Sequence, residues 1–191
     1  MLKKRILAYL IDMMVVAIIM NIIGIFMMNS NTTKLNEELD TLNNEVIDRK
    51  ISEETYINRL VIIEQDMDKE NLNTNIIELM LVFGYFVVVP FCFNGQTIGK
   101  KVFKIKIKAK NGDLTINSLL IRTLMIDGLS SLLVCISTIY LVDSMPYFII
   151  KTGIRLIELV ILIVSVVKIK NTEEKQGLHD RIAKTEVVEV N

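Results

Sequence analysis

ILAYLIDMMVVAIIMNIIGIFMM, residues 6–28, is a 23-residue apolar run in which Asp12 is the only charge. About 20 apolar residues suffice to cross ~30 Å of hydrocarbon as a helix, so this run predicts a membrane span. Lys3, Lys4 and Arg5 precede it as they would a secretory signal. A signal core is shorter, and no small-residue cleavage site follows, so the run is expected to be kept as a first helix. Two further runs have similar length, residues 76–93 and residues 119–142, and a fourth, 147–167, is interrupted by Lys151, Arg155 and Glu158. The chain as a whole fits this pattern: 51% of its 191 residues are hydrophobic, yet 23% are charged, with a mean hydropathy of +0.44. Apolar and charged residues are therefore segregated along the chain, which argues against one soluble core.

The expected fold class is an all-α integral membrane protein with about four transmembrane helices and both termini inside. Charge sets the orientation, because short loops rich in Lys and Arg stay cytoplasmic. The N-terminus carries three basic residues and no acid, and residues 94–118 hold six lysines against Asp113 alone. Residues 29–75 hold eleven acidic and five basic residues and belong on the opposite side. The resulting order is residues 1–28, N-terminus and first span; 29–75, acidic extracytoplasmic helical hairpin; 76–93, second span; 94–118, basic cytoplasmic loop; 119–142, third span; 147–167, fourth span; and 168–191, cytoplasmic tail.

Within the hairpin, Leu35, Leu39, Leu42 and Val46 form one apolar stripe, and Leu60, Ile63 and Met67 another. Ser52 is the expected N-cap of the second helix. The plainer reading is a spacer whose helices bury their stripes against each other. The alternative is a surface for a protein partner.

In the basic loop, Gly95-Gln96-Thr97-Ile98-Gly99-Lys100 resembles a phosphate-binding loop, but three residues rather than four separate the glycines and Lys101 stands where Ser or Thr is needed. A nucleotide enzyme is not expected. Phe103, Ile105, Ile107 and Ala109 alternate with Lys104, Lys106, Lys108 and Lys110 at strand periodicity, Asn111-Gly112 favours a tight turn, and Leu114-Thr115-Ile116 offers a return strand. This predicts a short β-hairpin resting its lysines, Lys100 and Lys101 included, near anionic lipid headgroups. Zero net charge and sparse aromatics argue against nucleic acid.

The chain resembles the RDD family of bacterial integral membrane proteins. The resemblance rests on Arg5 with Asp12, GQTIGKKVFKIKI with the following NGD, Leu120-Ile121-Arg122, and GLHDRIAKTEVV at residues 177–188. The family is named for an Arg and two Asp, which correspond here to Arg5, Asp12 and Asp180. The resemblance implies movement of ions or small solutes across the cytoplasmic membrane. The acidic hairpin lies outside the family pattern.

Ionisable residues inside spans are costly and are expected to face the bundle interior. Asp12, Asp127 and Glu158 are the candidate ion- or proton-binding groups, and Arg5, Arg122, Arg155 and Asp180 their charge partners. Arg155 and Glu158, three apart on one helix, are expected to pair, and Asp180 to meet Arg5 or Lys100. The single His179 and the separated Cys92 and Cys135 give no metal-ligand spacing, and no nucleophile with a base stands out, so neither a cofactor nor an enzyme is expected. Four helices are few for a transport path, so a transporter should be a homo-oligomer. The alternative is a scaffold that engages a partner through the hairpin.

Overall fold

A computed structural model describes residues 1–27 and 30–190. The expected junction of first span and hairpin, residues 28–29, lies outside the described residues, as does Asn191. The described chain is mostly helical: α1 Leu2–Met27, α2 Ser30–Ile47, α3 Glu53–Glu70, α4 Leu72–Cys92, α5 Ile98–Val102, β1 Ile105–Ala109, α6 Ile116–Ile126, α7 Leu129–Thr138, α8 Ser144–Asn171, α9 Leu178–Ile182 and β2 Thr185–Glu189.

Two helices, α1 and α4, are long and apolar enough to cross a membrane, and a third crossing results if α6 and α7 count as one. That expected third span is broken. α6 ends at Ile126, and α7 leaves at 76° to it. Gly128, at φ +80°, makes the corner. A non-glycine residue is strained in that conformation, whereas glycine adopts it freely. The interruptions expected in the fourth run do not stop helix formation, since α8 runs for 28 residues through Lys151, Arg155 and Glu158.

One turn of α4, Gly84–Val88, is π-helical. Pro90 has no N–H to give the carbonyl of Phe86, and a mismatched turn is a usual way for a helix to absorb such a loss. The freed Phe86 carbonyl accepts from Thr123 Oγ1 of α6 at 3.5 Å.

The bundle has two ends. At one, the start of α1 meets α5, the sheet and α9, around a core of Ala8, Val87, Ile105, Ile107, Leu119 and Val187. At the other, α3 packs on the start of α8. Val16, Val82, Tyr85, Phe86 and Leu129 fill the middle. Many large side chains remain exposed on the outer faces, among them Ile25 at 75% and Phe26 at 84%. Such a surface suits hydrocarbon rather than water.

The expected β-hairpin does not form. β1 pairs antiparallel with β2 from the end of the chain, in the register Ile105↔Glu189, Ile107↔Val187 and Ala109↔Thr185. The proposed return strand is instead a helix start, where Thr115 Oγ1 accepts from the Ser118 N–H at 3.2 Å and caps α6. Only three residues were available on that side, whereas residues 185–189 offer five with buried alternation. The cationic face of β1 is as expected, with Ile105, Ile107 and Ala109 buried and Lys104, Lys108 and Lys110 exposed.

Ser52 caps α3 as expected, accepting from the Thr55 N–H at 3.2 Å. The hairpin is more than a free spacer. Its helices pack on each other, and α3 also locks onto α8. Gln65 Nε2 donates to the carbonyls of Ile139 (2.8 Å) and Val142 (3.0 Å), and its Oε1 accepts from Ser144. Lys151 pairs with Glu64 at 3.2 Å and with Asp68, which also accepts from Tyr147 at 2.7 Å.

Candidate functional site: three buried carboxylates

Asp12, Asp127 and Asp180 are the buried carboxylates among the described residues. They lie in different environments.

Asp12, on the second turn of α1 beyond Arg5, is fully enclosed. It accepts from Thr97 Oγ1 at 2.6 Å, Tyr85 Oη at 2.7 Å, the Gly99 N–H at 2.8 Å and Lys100 Nζ at 3.3 Å. The loop that resembles a phosphate cradle does hold an anion, but the anion is the chain's own carboxylate. Its glycines are explained by close approach. A Cβ at Gly99 would stand 2.1 Å from the Ala8 carbonyl, and one at Gly95 1.9 Å from that of Ile107. Lys100 is therefore not a membrane-surface lysine: it is 9% exposed and turned inward by Asp12. Lys101 remains exposed.

Asp180, at the start of α9, is also fully buried. It bridges Arg5 of α1, at 2.9 Å, and Arg122 of α6. It accepts from the Gly177 N–H at 3.0 Å, and His179 Nε2 lies 3.3 Å away. His179 Nδ1 meets Ser165 Oγ of α8 at 3.0 Å. Burial pushes the Asp180 carboxyl up, but Arg122, His179 and Arg5 together hold it well below the usual range. Burial lowers His179, and Arg122 adds to the effect against the pull of Asp180. Arg5 thus does not reach out to headgroups. It lies across the bundle end, donating also to the Val187 carbonyl at 3.1 Å.

The arginine clamps one of the two aspartates, Asp180, while Asp12 is held apart from it by Lys100 and the loop that carries it. The sequence pattern of the RDD family matches residues 1–184. The chain belongs to the RDD family. No curated protein and no solved structure matches it. Arg5, Asp12 and Asp180 of this RDD protein each join α1 or α9 to another element, and the two acids have no vacant face.

Asp127 differs. It terminates α6 beside Gly128 and makes no ion pair within 4 Å among the described residues. It lines two cavities at once. The first, about 310 Å³, lies toward the sheet end and includes Arg5, Lys100, Arg122 and His179 in its wall. The second, about 370 Å³, lies toward the hairpin and includes Asp68, Glu78, Arg155 and Glu158. Phe86, Ile126 and Leu162 share the partition with Asp127. Tyr9 Oη donates to the Ile126 carbonyl at 3.0 Å and fixes the backbone just before it.

Glu158 does not pair with Arg155. It accepts from Ser130 Oγ and from the Ser131 N–H at 3.1 Å, capping the start of α7 from outside that helix. Lys151 is drawn to the hairpin rather than to Glu158. The sequence reading missed Tyr85, Thr97 and Ser165 as partners. Thr97 had a signal, since it lies in the loop already singled out by its glycines, but Tyr85 and Ser165 sit in apolar runs where nothing distinguishes them.

Proposed function

We propose that this RDD protein moves a small ion or solute across the bacterial cytoplasmic membrane and that Asp127 is its exchangeable group. The observation that carries the reading is the position of Asp127, unpaired between two cavities that extend toward opposite ends of the bundle. A buried carboxylate with four donors is spent on structure, whereas one that holds no direct ion pair is left able to exchange a proton or a cation. Of the three expected exchange groups, Asp12, Asp127 and Glu158, this reading assigns the role to Asp127. Tyr9 and Asp12 from α1, Lys100 from α5, Arg122 from α6, and Arg155 and Glu158 from α8 set the surrounding potential. Glu158 shapes the corner through α7.

Four crossings with both termini inside are the proposed arrangement, supported by α8, which reaches from Asp68 of the hairpin to His179 at the sheet end. The exposed lysines in and beside β1, Lys104, Lys108 and Lys110, then face the cytoplasmic leaflet, where anionic headgroups attract them. Transport through so small a bundle is proposed to use a homo-oligomer. The hairpin as a docking surface for another protein has less support, since α3 is engaged by α8.

The test is flux in proteoliposomes loaded with a pH-sensitive dye under an imposed cation gradient. Asp127→Asn should abolish flux with melting temperature and oligomeric state unchanged. Wild-type flux from that variant would remove Asp127 from the path. In a Cys92→Ser background, cysteines at Ser52 and Asn111 should react with an impermeant thiol reagent from opposite sides of the membrane. Reaction of both from one side would end the four-crossing arrangement.

A further inference from the structure

The cavity at the sheet end has a wall of two kinds. Three cationic side chains, Arg5, Lys100 and Arg122, reach it from α1, α5 and α6. Their carboxylate partners Asp12 and Asp180 are not part of that wall. Arg5 keeps its Nε buried and without an acceptor among the described residues, although its two terminal nitrogens are engaged. Buried N–H groups are rarely left unmet, and a bound water or ion is one way they are satisfied. The remainder of the wall is apolar. Ile6 and Leu10 of α1 face Leu162 and Val166 of α8 across it. These two helices meet only sparsely, and Ile6 and Leu10 are 40% and 52% exposed. The cavity is therefore open sideways, through the surface that would face lipid.

We propose that this cavity binds an anionic amphiphile, with a carboxylate or phosphate oxygen at Arg5 and Arg122 and the first part of an acyl chain along Ile6, Leu10, Leu162 and Val166. A volume of about 310 Å³ is at the lower end of ligand sites, which hold roughly 300–1,000 Å³. It takes a head and a short length of chain, with the rest of the chain left in the bilayer through the side opening. A small hydrophilic anion would leave the apolar wall unused, and a neutral chain would leave the cationic side of the wall, Arg5, Lys100 and Arg122, without an anion. Local charge agrees. Arg5, Lys100 and Arg122 exceed Asp12 and Asp180 by one positive charge, so a single anion balances the cluster when Asp127 is protonated. When Asp127 is ionised, it supplies that balance itself. The inference deepens the transport reading by naming a substrate class, but binding is measured apart from flux, so each can fail alone.

The experiment uses the full chain in phosphatidylcholine vesicles with dansyl-undecanoic acid as the fluorescent probe. Saturable binding is expected. Leu162→Phe, which fills the cavity without touching a charge, should weaken it about tenfold, the equivalent of ~1.4 kcal/mol. Arg5→Lys, which keeps a cation near Asp180 but removes Nε, should weaken it comparably. Ile25→Phe on the outer face of α1 should change nothing. Displacement by phosphatidylglycerol in the vesicles assigns the anion to the bilayer, and displacement by octanoate from water assigns it to a soluble acid; either supports the site. Equal displacement by undecanol would overturn the anionic head. Absence of saturable binding to folded wild type, or undiminished binding to a folded Leu162→Phe protein, would overturn the proposal.

Discussion

Among single residues, Asp180 and His179 show how a buried charge is held and what titrates it. Asp180 joins α9 to α1 and α6 through Arg5 and Arg122, so its depressed carboxyl contributes stability that is present above about pH 3.9 and is lost only as pH falls below that. His179 works in a different window. Its folded value lies below the unfolded value of about 6.5. The unfolded chain therefore binds the extra proton first, and the histidine's contribution is complete above about pH 6.5 and declines below it. The slope is at most about 1.4 kcal/mol per pH unit for one site. Melting in detergent should accordingly fall between pH 7.5 and 5.5, and His179→Gln should flatten that fall. A fall of equal steepness in the variant would place the titrating group elsewhere. Arg5, Asp12 and Asp180 were legible as important from the sequence, but their partners were not. Asp12 and Lys100 are 88 residues apart, and Arg5 and Asp180 175. No spacing rule spans such distances.

The break between α6 and α7 is the element on which the candidate site depends. Composition marks residues 119–142 as one long apolar run, and length alone predicts one straight span. Two local choices and one distant one oppose it: Asp127 at the helix end, Gly128 in the left-handed region, and Glu158 of α8 supplying an external cap to α7. The corner gives Asp127 its place in both cavity walls. Gly128→Ala should strain the corner, by roughly 1–2 kcal/mol for a side chain in that conformation. The space itself is adequate, since the added Cβ would lie 3.8 Å from Ser131 Oγ. The expected result is a moderately less stable protein with reduced flux, read by melting and by proteoliposome assay on the same sample. Full stability would mean that the backbone at 128 relaxes to negative φ without cost. The sheet repeats the lesson on a smaller scale. The alternation in residues 103–110 correctly gave strand and cationic face, but the partner was chosen by packing, because Val187 completes the core of Ile105 and Ile107 and Leu114 to Ile116 could not do so while starting a helix.

Across the whole molecule, the hairpin and the bundle are joined by charge. Lys151 is buried in α8 and is neutralised by Glu64 and Asp68 of α3. Replacing residues 34–72 by a short linker removes both acids, together with the helix that covers Lys151, and leaves its ammonium unpaired. Breaking one side of a fully buried pair costs about 3–5 kcal/mol, an upper bound here because Glu64 and Asp68 are partly exposed. The deleted protein should insert poorly or melt early, and Lys151→Met in the same chain should recover most of the loss, as measured by expression and by thermal unfolding in detergent. Normal behaviour of the deleted protein with Lys151 intact would show that water or lipid headgroups reach that site.

Apolar length, hydrophobic periodicity and the sign of loop charges are local quantities. They were enough to mark a helical membrane protein, its acidic hairpin with the cap at Ser52, and the strand at residues 105–109, while the family followed from the residue motifs at 5–12, 95–113 and 177–188. Pairing across the bundle is not local. Which carboxylate is clamped and which stands between cavities depends on helices brought together from opposite ends of the chain, and the same Asp in an apolar run is consistent with either outcome. The fold resolves it by offering Asp12 four donors and Asp180 two arginines, and by leaving Asp127 at a corner where no cation among the described residues comes within pairing distance.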